Sequence, residues 1–312
     1  MGVKNFTKFL TKYCPNVRCV VKYADCSGQT WGIDTSLFLH KFCHNVESKK
    51  PNPHIDGFYK LFYRLNKYNI KPFLVFDGEP SVLKDTTIER RRNVVEQQKR
   101  RIHTDTSASA SATVKNLITI SDDWKPDIIQ LCHILNIKYI QADGEADILL
   151  SQLCKNGRLN AVLSEDYDML MYGCTVSLSK FLWPKLELTC INLNDILDTL
   201  KITYEQFVKI CVCLGTDYND PICTLSNVVS FVKNIGDGPL PDNVEHVYQY
   251  VIDNSVNSAI DTINSVSVDS VDTIDTNTIN TDALISLLTT KCKYRKSTVE
   301  RHINTEWLNE TT

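Results

Sequence analysis

Residues 142–173, with the sequence ADGEADILLSQLCKNGRLNAVLSEDYDMLMYG, decide the fold of this chain. Glu145 and Asp147 stand just before apolar residues at 148–150 and 153, a spacing that predicts one buried face of a helix. Acids in the first turn of a helix are stabilised by its dipole, and Asp143 or Gly144 is an acceptable cap. The first half of the stretch therefore predicts a helix that begins with two carboxylates.

The second half predicts a buried strand at 159–163 that ends on another pair of acids. If the strand geometry continues, Asp166 and Asp168 point to the same side, because alternate side chains share a face of a strand. Two pairs of carboxylates would then meet at one edge of a sheet. We expect this edge to hold divalent metal ions.

Two more apolar strands that end in acids precede this stretch. Residues 31–34 end at Asp34, residues 71–78 carry Asp77, and helical patterns occupy 3–13, 36–46 and 58–68, with a loop at 47–54. This alternation predicts an α/β fold with a central, mostly parallel sheet flanked by helices. In such sheets ligands bind at the carboxyl ends of the strands, where both acids lie.

A strongly basic segment at 84–101 interrupts the alternation. It contains the runs 90–92 (RRR) and 99–101 (KRR) with few apolar residues, so it is expected to project from the body, and a Ser/Ala-rich tip follows at 107–113. Later patterns predict strands at 174–180 and 186–191 and helices at 194–200, 204–214, 224–235 and 244–252. The expected organisation is a first α/β region at 1–105 that includes the start of the basic segment, a flexible tip or linker at 106–121, a second α/β region at 122–220, a helical region at 221–252, a low-complexity insertion at 253–282 and a tail at 283–312.

Composition limits the classes of protein that remain. The 312 residues are 43% hydrophobic and 23% charged, as in an ordinary soluble protein, and no apolar run is long enough to span a membrane. The net charge of −3 does not by itself indicate nucleic-acid binding, but the distribution of charge matters more than its sum. The twelve cysteines include no CxxC pair, and several stand alone in apolar stretches, such as Cys43, Cys132, Cys154 and Cys211. This pattern argues against structural zinc and for a reducing compartment.

Seven acids stand at predicted strand or helix ends: Asp34, Asp77, Glu145, Asp147, Asp166, Asp168 and Asp217. Converging carboxylates raise one another's pKa, and hard cations such as Mg²⁺ relieve this repulsion. Two ions roughly 4 Å apart would activate water and stabilise the leaving oxygen of a phosphodiester. The basic segment would then grip a nucleic-acid backbone.

Each feature alone has a simpler explanation. Strands often end in an exposed loop acid, and the arginine runs fit a solvated helix face. The segment Asp166-Tyr167-Asp168 also resembles the DxD motif of glycosyltransferases, but that interpretation leaves Asp34, Asp77 and the arginines unexplained. The combination of features favours a nuclease.

The segments MG, GIDTS, VFDGEP, DGEADI, LSEDYDML and LGTDY occur in this order over roughly residues 1–220. This ordered set resembles the flap endonuclease (XPG-type) 5′ nucleases. The resemblance implies a PIN-like fold with a projecting helical arch and a helical C-terminal region. It also implies Mg²⁺-dependent cleavage of DNA in replication, repair or recombination.

The resemblance assigns roles residue by residue. It implies one metal site formed by Asp34, Asp77, Glu145 and Asp147, and a second formed by Asp166, Asp168 and Asp217, with Mn²⁺ able to replace Mg²⁺. Lys84 and Arg91 would contact the scissile phosphate. Further DNA contacts are expected from Gly2, His40, Arg90, Arg92, Lys99, Arg100, Arg101 and Gly215.

The chain also departs from the family pattern. His40 stands where the family has a stacking tyrosine, the arch at 84–121 is short, and residues 219–229 lack the glycines of the duplex-binding helix–two-turn–helix. No sliding-clamp motif occurs near the C-terminus. We expect a monomer that acts on DNA with a 5′ flap or free 5′ end in the nucleus (the host nucleus for a viral source), with the cytoplasm as the alternative. A PIN-type ribonuclease and a catalytically inactive DNA-binding homologue are the alternative functions.

Overall fold

A computed structural model describes residues 2–43, 51–79, 81–84, 124–180, 187–256 and 279–306. Within these ranges seven strands form one sheet: β1 (Arg18–Lys22), β2 (Thr30–Asp34), β3 (Lys71–Phe76), β4 (Lys138–Gln141), β5 (Ala161–Leu163), β6 (Val176–Ser179) and β7 (Glu187–Asn192). Their order in space is β1-β7-β6-β5-β2-β3-β4. The five strands from β6 to β4 are parallel, and β7 is antiparallel to both of its neighbours.

Twelve α-helices surround this sheet in the described ranges. They are α1 (Phe6–Tyr13), α2 (Thr35–Cys43), α3 (Pro53–Lys67), α4 (Trp124–Leu135), α5 (Ala146–Lys155), α6 (Asp168–Met171), α7 (Leu193–Leu200), α8 (Tyr204–Leu214), α9 (Val228–Ile235), α10 (Asp242–Val256), α11 (Thr281–Lys291) and α12 (Lys296–Glu306). None of them is both long and apolar enough to cross a membrane. The mixed, mostly parallel sheet with flanking helices confirms the predicted fold class.

Helices cover both faces of the sheet. On one face α2, α3, α4, α11 and α12 share a core with inward residues such as Ile33 and Leu74. On the other face α5 packs against Phe73, Val75 and Val162. Gly32 makes this close approach possible, since a Cβ there would lie 2.5 Å from a methyl carbon of Leu150. The central parallel strands β2, β3 and β5 are therefore buried on both sides, which explains their continuous apolar runs.

A separate core joins α1 to the helices after β7. Phe6, Phe9 and Leu10 on α1 pack with Phe207 and Ile210 on α8. Aromatic contacts support this junction, with the rings of Phe6 and Phe207 6.0 Å apart. The N-terminus is thereby held beside the loop that follows α8.

Several predicted boundaries change in the structure. α3 begins at Pro53, inside the predicted loop at 47–54, and the strand β1 was not predicted at all. β1 shows no apolar alternation because most of its residues are exposed, so its hydrogen bonds to β7 hold it in place instead. The cysteines at 43, 132, 154 and 211 are buried free thiols, as expected from their apolar surroundings.

The two ends of the low-complexity region belong to helices. Residues 253–256 complete α10, and Thr281 starts α11. The region predicted as a tail contains most of α11 and α12, whose Leu288 and Val299 are buried in the main core. The arch tip at 106–121 and the centre of the insertion at 257–278 lie outside the described residues.

Candidate metal centre

The acidic side chains lie at the carboxyl ends of three adjacent parallel strands. Asp34 is the last residue of β2, the central strand of the three, and Asp77 follows the last residue of β3. Asp166 follows β5 by three residues, and β5 and β3 pair with β2 on its two sides. Parallel strands place equivalent ends on one edge, so these acids are brought together.

Asp34 is anchored by two donors although it is only 6% exposed. Its Oδ1 accepts the Leu37 backbone N–H at 3.1 Å, and its Oδ2 accepts the Ser164 hydroxyl at 3.4 Å. Burial, together with the charges of Asp77 and Asp166, raises the pKa of Asp34 to about 7. A cation at this position would remove that penalty.

Asp77 caps the helix that carries the next two acids. Its Oδ1 accepts the Ala146 backbone N–H at 3.0 Å, at the first turn of α5. The N-cap position itself is Glu145, whose side chain makes no capping bond. The expectation of Asp143 or Gly144 as the cap was therefore wrong, because the capping carboxylate comes from another strand and Glu145 is left to face the site.

Glu145 forms an ion pair with Lys84. Lys84 is the last residue of a short 3₁₀ turn, Val82–Lys84. The Lys84 ammonium lies 2.5 Å from Glu145 Oε2 and is mostly buried. Burial lowers the pKa of Lys84, but the Glu145 carboxylate outweighs this and holds it above its usual range. Lys84 is therefore a fixed positive charge among the acids.

Two tyrosines complete this corner of the site. The Tyr218 hydroxyl lies 3.0 Å from Glu145 Oε2, and the Tyr172 hydroxyl lies 2.5 Å from that of Tyr218. Burial raises the pKa of both hydroxyls well above the usual range, so they are protonated donors.

Asp166 and Asp168 reach the site by a turn and not along a strand. β5 ends at Leu163; the Asp166 N–H then donates to Ser164 Oγ at 3.1 Å, and the Asp168 N–H donates to Asp166 Oδ1 at 3.2 Å. Asp168 is the first residue of the short helix α6. The predicted strand alternation was wrong here, because backbone bonding to these short polar side chains favours a turn.

The carboxylates of Asp166 and Asp168 nevertheless converge, and Gly2 lies against both. A Cβ on Gly2 would overlap Asp166 Oδ1 and lie 2.5 Å from Asp168 Oδ1. Gly2 also has a positive φ of 83°. The N-terminal segment is held there by the Lys4 N–H, which donates to the Gly215 carbonyl at 2.8 Å.

All seven acids belong to one electrostatically connected group. Burial, Asp34 and Asp166 raise the pKa of Asp147, and burial, Asp166, Asp217 and Glu145 raise that of Asp168. Burial also raises the pKa of Asp166. Such mutual repulsion is what divalent cations relieve.

The donor chemistry fits a hard divalent cation. Glu145 Oε1 and Asp168 Oδ1 are buried oxygens without a hydrogen-bond partner, and an unsatisfied buried carboxylate oxygen is costly unless it binds a cation. Among the described residues, however, no three acidic, histidine or cysteine side chains already form a closed coordination shell.

The other predicted contacts lie around this edge. Gly215 follows α8 with φ of 91° and packs against Pro221, and it starts the loop that carries Asp217. His40 lies exposed on α2 beside Lys41, which forms an ion pair with Glu165. The predicted residues Arg90, Arg91, Arg92, Lys99, Arg100 and Arg101 fall outside the described ranges.

Sequence reasoning missed the roles of Tyr172 and Tyr218. Tyr218 is part of the motif LGTDY and directly follows an acid, which is a usable signal. Tyr172 has no such signal in the sequence. It directly follows the short helix α6, and the fold of that segment places its hydroxyl beside Tyr218.

Two family models match the chain in the order of these motifs. The XPG N-terminal domain matches residues 1–98, and the XPG I-region matches residues 136–217. Together they span more than half of the chain and include all seven acids. The chain belongs to the XPG nuclease family.

Curated relatives of this XPG-family chain are flap endonucleases. Flap endonuclease 1 of Scheffersomyces stipitis is 27% identical over 264 residues, which cover 79% of this chain and 69% of the relative. Flap endonuclease 1 of Heterostelium pallidum is 29% identical over 248 residues, 74% of this chain and 64% of the relative. The match thus spans about two thirds of the length of these relatives. The predicted family and the nuclease class of enzyme are confirmed.

Solved structures of the family share the fold. The catalytic core of Rad2 in complex with a DNA substrate has a TM-score of 0.69 and 18% identity, covering 97% of this chain and 99% of that one. Flap endonuclease-1 from Methanococcus jannaschii has a TM-score of 0.65 and 20% identity, covering 94% and 96%. The XPG-type, PIN-like architecture therefore extends over nearly the whole chain.

Proposed function

We propose that this XPG-family chain is a Mg²⁺-dependent, structure-specific 5′ nuclease that hydrolyses phosphodiester bonds of DNA with a 5′ flap or a free 5′ end. One observation carries the proposal. Seven carboxylates from separate segments form one connected acidic group at the sheet edge, with the Lys84 ammonium fixed among them.

The acids would divide into two sets, one for each ion. Asp34, Asp77, Glu145 and Asp147 surround the end of β2 and the start of α5, and these would hold one ion. Asp166 and Asp217 lie on the loops after β5 and α8, Asp168 begins α6, and these three would hold a second ion. Two bound ions would supply charge neutralisation and a water of lowered pKa, and Mn²⁺ would replace Mg²⁺ because it accepts the same oxygen ligands.

The residues of the chain bind and orient the DNA. Lys84, held beside the acids, and Arg91 in the basic segment would contact the scissile phosphate. Gly2 and Gly215 would contact the DNA backbone beside the acids, and the ring of His40 would stack on a base more weakly than a tyrosine would. The remaining basic residues of the arch would bind phosphates, with affinity that falls as salt increases.

The proposal includes the setting in which the enzyme acts. We expect a monomer that acts in the nucleus, where replication and repair of eukaryotic DNA occur. The eukaryotic origin of the flap endonuclease relatives supports this location.

The test compares Asp166→Ala with Asp198→Ala on a 5′-flap duplex in Mg²⁺. Asp198 is an exposed residue of α7, so its variant controls for a general loss of charge. We expect Asp166→Ala to lose nearly all cleavage and Asp198→Ala to retain it. Undiminished cleavage by folded Asp166→Ala would overturn the assignment, and preferred cleavage of single-stranded RNA would favour a PIN-type ribonuclease.

A second experiment defines the substrate. Products would be mapped on flap, nicked, gapped and end-blocked DNA. We expect cleavage near the junction of the flap substrate, and loss of cleavage when the 5′ end is blocked if the short arch requires a free end. Equal cutting of unbranched duplex at internal positions would contradict structure specificity.

A further inference from the structure

The Glu145 carboxylate has two protein donors on one oxygen and none on the other, which is buried. Oε2 accepts both the Lys84 ammonium at 2.5 Å and the Tyr218 hydroxyl at 3.0 Å. Oε1 is buried and has no hydrogen-bond partner. Because a carboxylate is rigid and planar, two donors on one oxygen set the direction of the other.

The direction of the hydrogen bonds follows from the chemistry of the groups. A tyrosine hydroxyl has one proton, and an ionised carboxylate can only accept. Tyr218 therefore donates to Glu145 and accepts from Tyr172, whose hydroxyl lies 2.5 Å away. The buried chain Tyr172–Tyr218–Glu145 thus runs one way, and each bond strengthens the next.

Tyr218 also contacts Lys84 through its ring. The Lys84 ammonium lies 5.3 Å from the ring centroid, a distance at which a cation is attracted to the aromatic face. Two contacts hold the Tyr218 ring in place. Its centroid lies 5.4 Å from that of Tyr250, and the Tyr218 N–H donates to Thr216 Oγ1 at 3.0 Å. One side chain therefore contacts both the acid and the lysine.

We propose that Tyr218, supported by Tyr172, is a positioning residue that aims the free oxygen of Glu145 at a metal ion and holds Lys84 beside it. This rests on the metal centre proposed above. Tyr218 touches no substrate itself; it acts through Glu145 and Lys84. Without its hydroxyl, Oε2 keeps Lys84 as its single donor, and the carboxylate can rotate away from the position required for binding a cation.

The test uses Tyr218→Phe and Tyr172→Phe, which remove a hydroxyl and keep the ring. Tyr59→Phe is the matched control, because Tyr59 is a buried tyrosine whose hydroxyl bonds His302 at 2.9 Å in the separate core that contains α3 and α12. Binding of Mg²⁺ and Mn²⁺ is measured by titration calorimetry without DNA. Cleavage of a 5′-flap duplex is then measured over a range of Mg²⁺ concentrations.

We expect Tyr218→Phe to weaken metal binding about tenfold, as for other groups that orient metal ligands, and to shift half-maximal activity to correspondingly higher Mg²⁺. Tyr172→Phe changes the metal affinity and the Mg²⁺ concentration for half-maximal activity in the same direction, but less than Tyr218→Phe does. KM for DNA at saturating Mg²⁺ stays within about twofold. Tyr59→Phe changes thermal stability without shifting either metal response.

The inference is overturned if folded Tyr218→Phe binds metal and responds to Mg²⁺ as the wild type does. It is also overturned if Tyr59→Phe shifts the metal response as much, since loss of any buried hydroxyl would then suffice. The binding measurement separates the two proposals. If the wild type binds metal but cleaves no DNA, the proposed function fails while the role of Tyr218 is still decided.

Discussion

Replacement of Asp34 by asparagine is expected to stabilise the metal-free protein while abolishing its activity. Asp34 is buried at the centre of the acidic group, and the charges of Asp77 and Asp166 act on it. Asparagine keeps the shape, its carbonyl oxygen still accepts the Leu37 N–H, and its amide donates to Ser164 Oγ. The substitution therefore removes a charge and little else.

The magnitude follows from the pKa of Asp34, which is about 7 in the folded protein against the ordinary value of 3.8. Since the folded value is raised, the stability contributed by protonated Asp34 is complete below about pH 4 and is lost as pH rises through 7. One pKa unit corresponds to about 1.4 kcal/mol, so ionised Asp34 costs about 4 kcal/mol at pH 8. For a chain of this length that is up to about 8 °C in Tm.

Thermal unfolding in a metal chelator at pH 5 and pH 8 measures this effect, with the exposed Asp198→Asn as control. We expect Asp34→Asn to melt several degrees above the wild type at pH 8, with a smaller difference at pH 5. Added Mg²⁺ should stabilise the wild type more than the variant, which keeps the acids proposed for the second ion. The electrostatic account of the site is wrong if Asp34→Asn is no more stable than the wild type at pH 8. It is also wrong if the variant loses as much stability as the wild type does between pH 5 and pH 8.

Three further outcomes are expected. Gly2→Ala should lower kcat on a 5′ flap at least tenfold in a folded protein, because its methyl group would overlap the Asp166 carboxylate; unchanged kcat would place the N-terminus elsewhere. Lys84→Met should lower kcat about 100-fold, since it removes a positive charge held among the acids. Circular dichroism would check that the variant is folded. A change in KM alone would assign Lys84 to DNA binding. Leu288→Ala should lower the free energy of unfolding in urea by about 2–5 kcal/mol, because Leu288 is fully buried. At low temperature, where the variant stays folded, its cleavage should depend on Mg²⁺ as in the wild type. An unchanged urea midpoint would mean that α11 is dispensable for stability.

The positions of the acids at strand ends could be predicted because the relevant signals are local. Apolar runs that stop at Asp34 and Asp77 identify the strands, and the carboxyl ends of parallel strands share an edge. The helical spacing after Asp147 identifies α5 in the same way. The core of the site thus follows from short-range patterns combined with one rule of topology.

Other features depend on residues far apart in the chain. Asp77 caps α5 across 69 positions, which displaces the expected cap at Asp143 or Gly144. The strand β1 has little apolar alternation and exists because β7 pairs with it. Propensity and periodicity carry no information about such partners, so these features could not be predicted.

The sequence alone determined the α/β class and the edge of the sheet at which the acidic residues meet, because hydrophobic periodicity and the position of an acid at a strand end are local properties. Tertiary structure alone decided how those acids are oriented and what surrounds them. The contact of Gly2 with Asp166 and Asp168, the ion pair of Lys84 with Glu145 and the hydrogen bonds of Tyr172 and Tyr218 all join segments that are distant in the chain. Their geometry depends on the packing of those segments, which no single stretch of residues specifies.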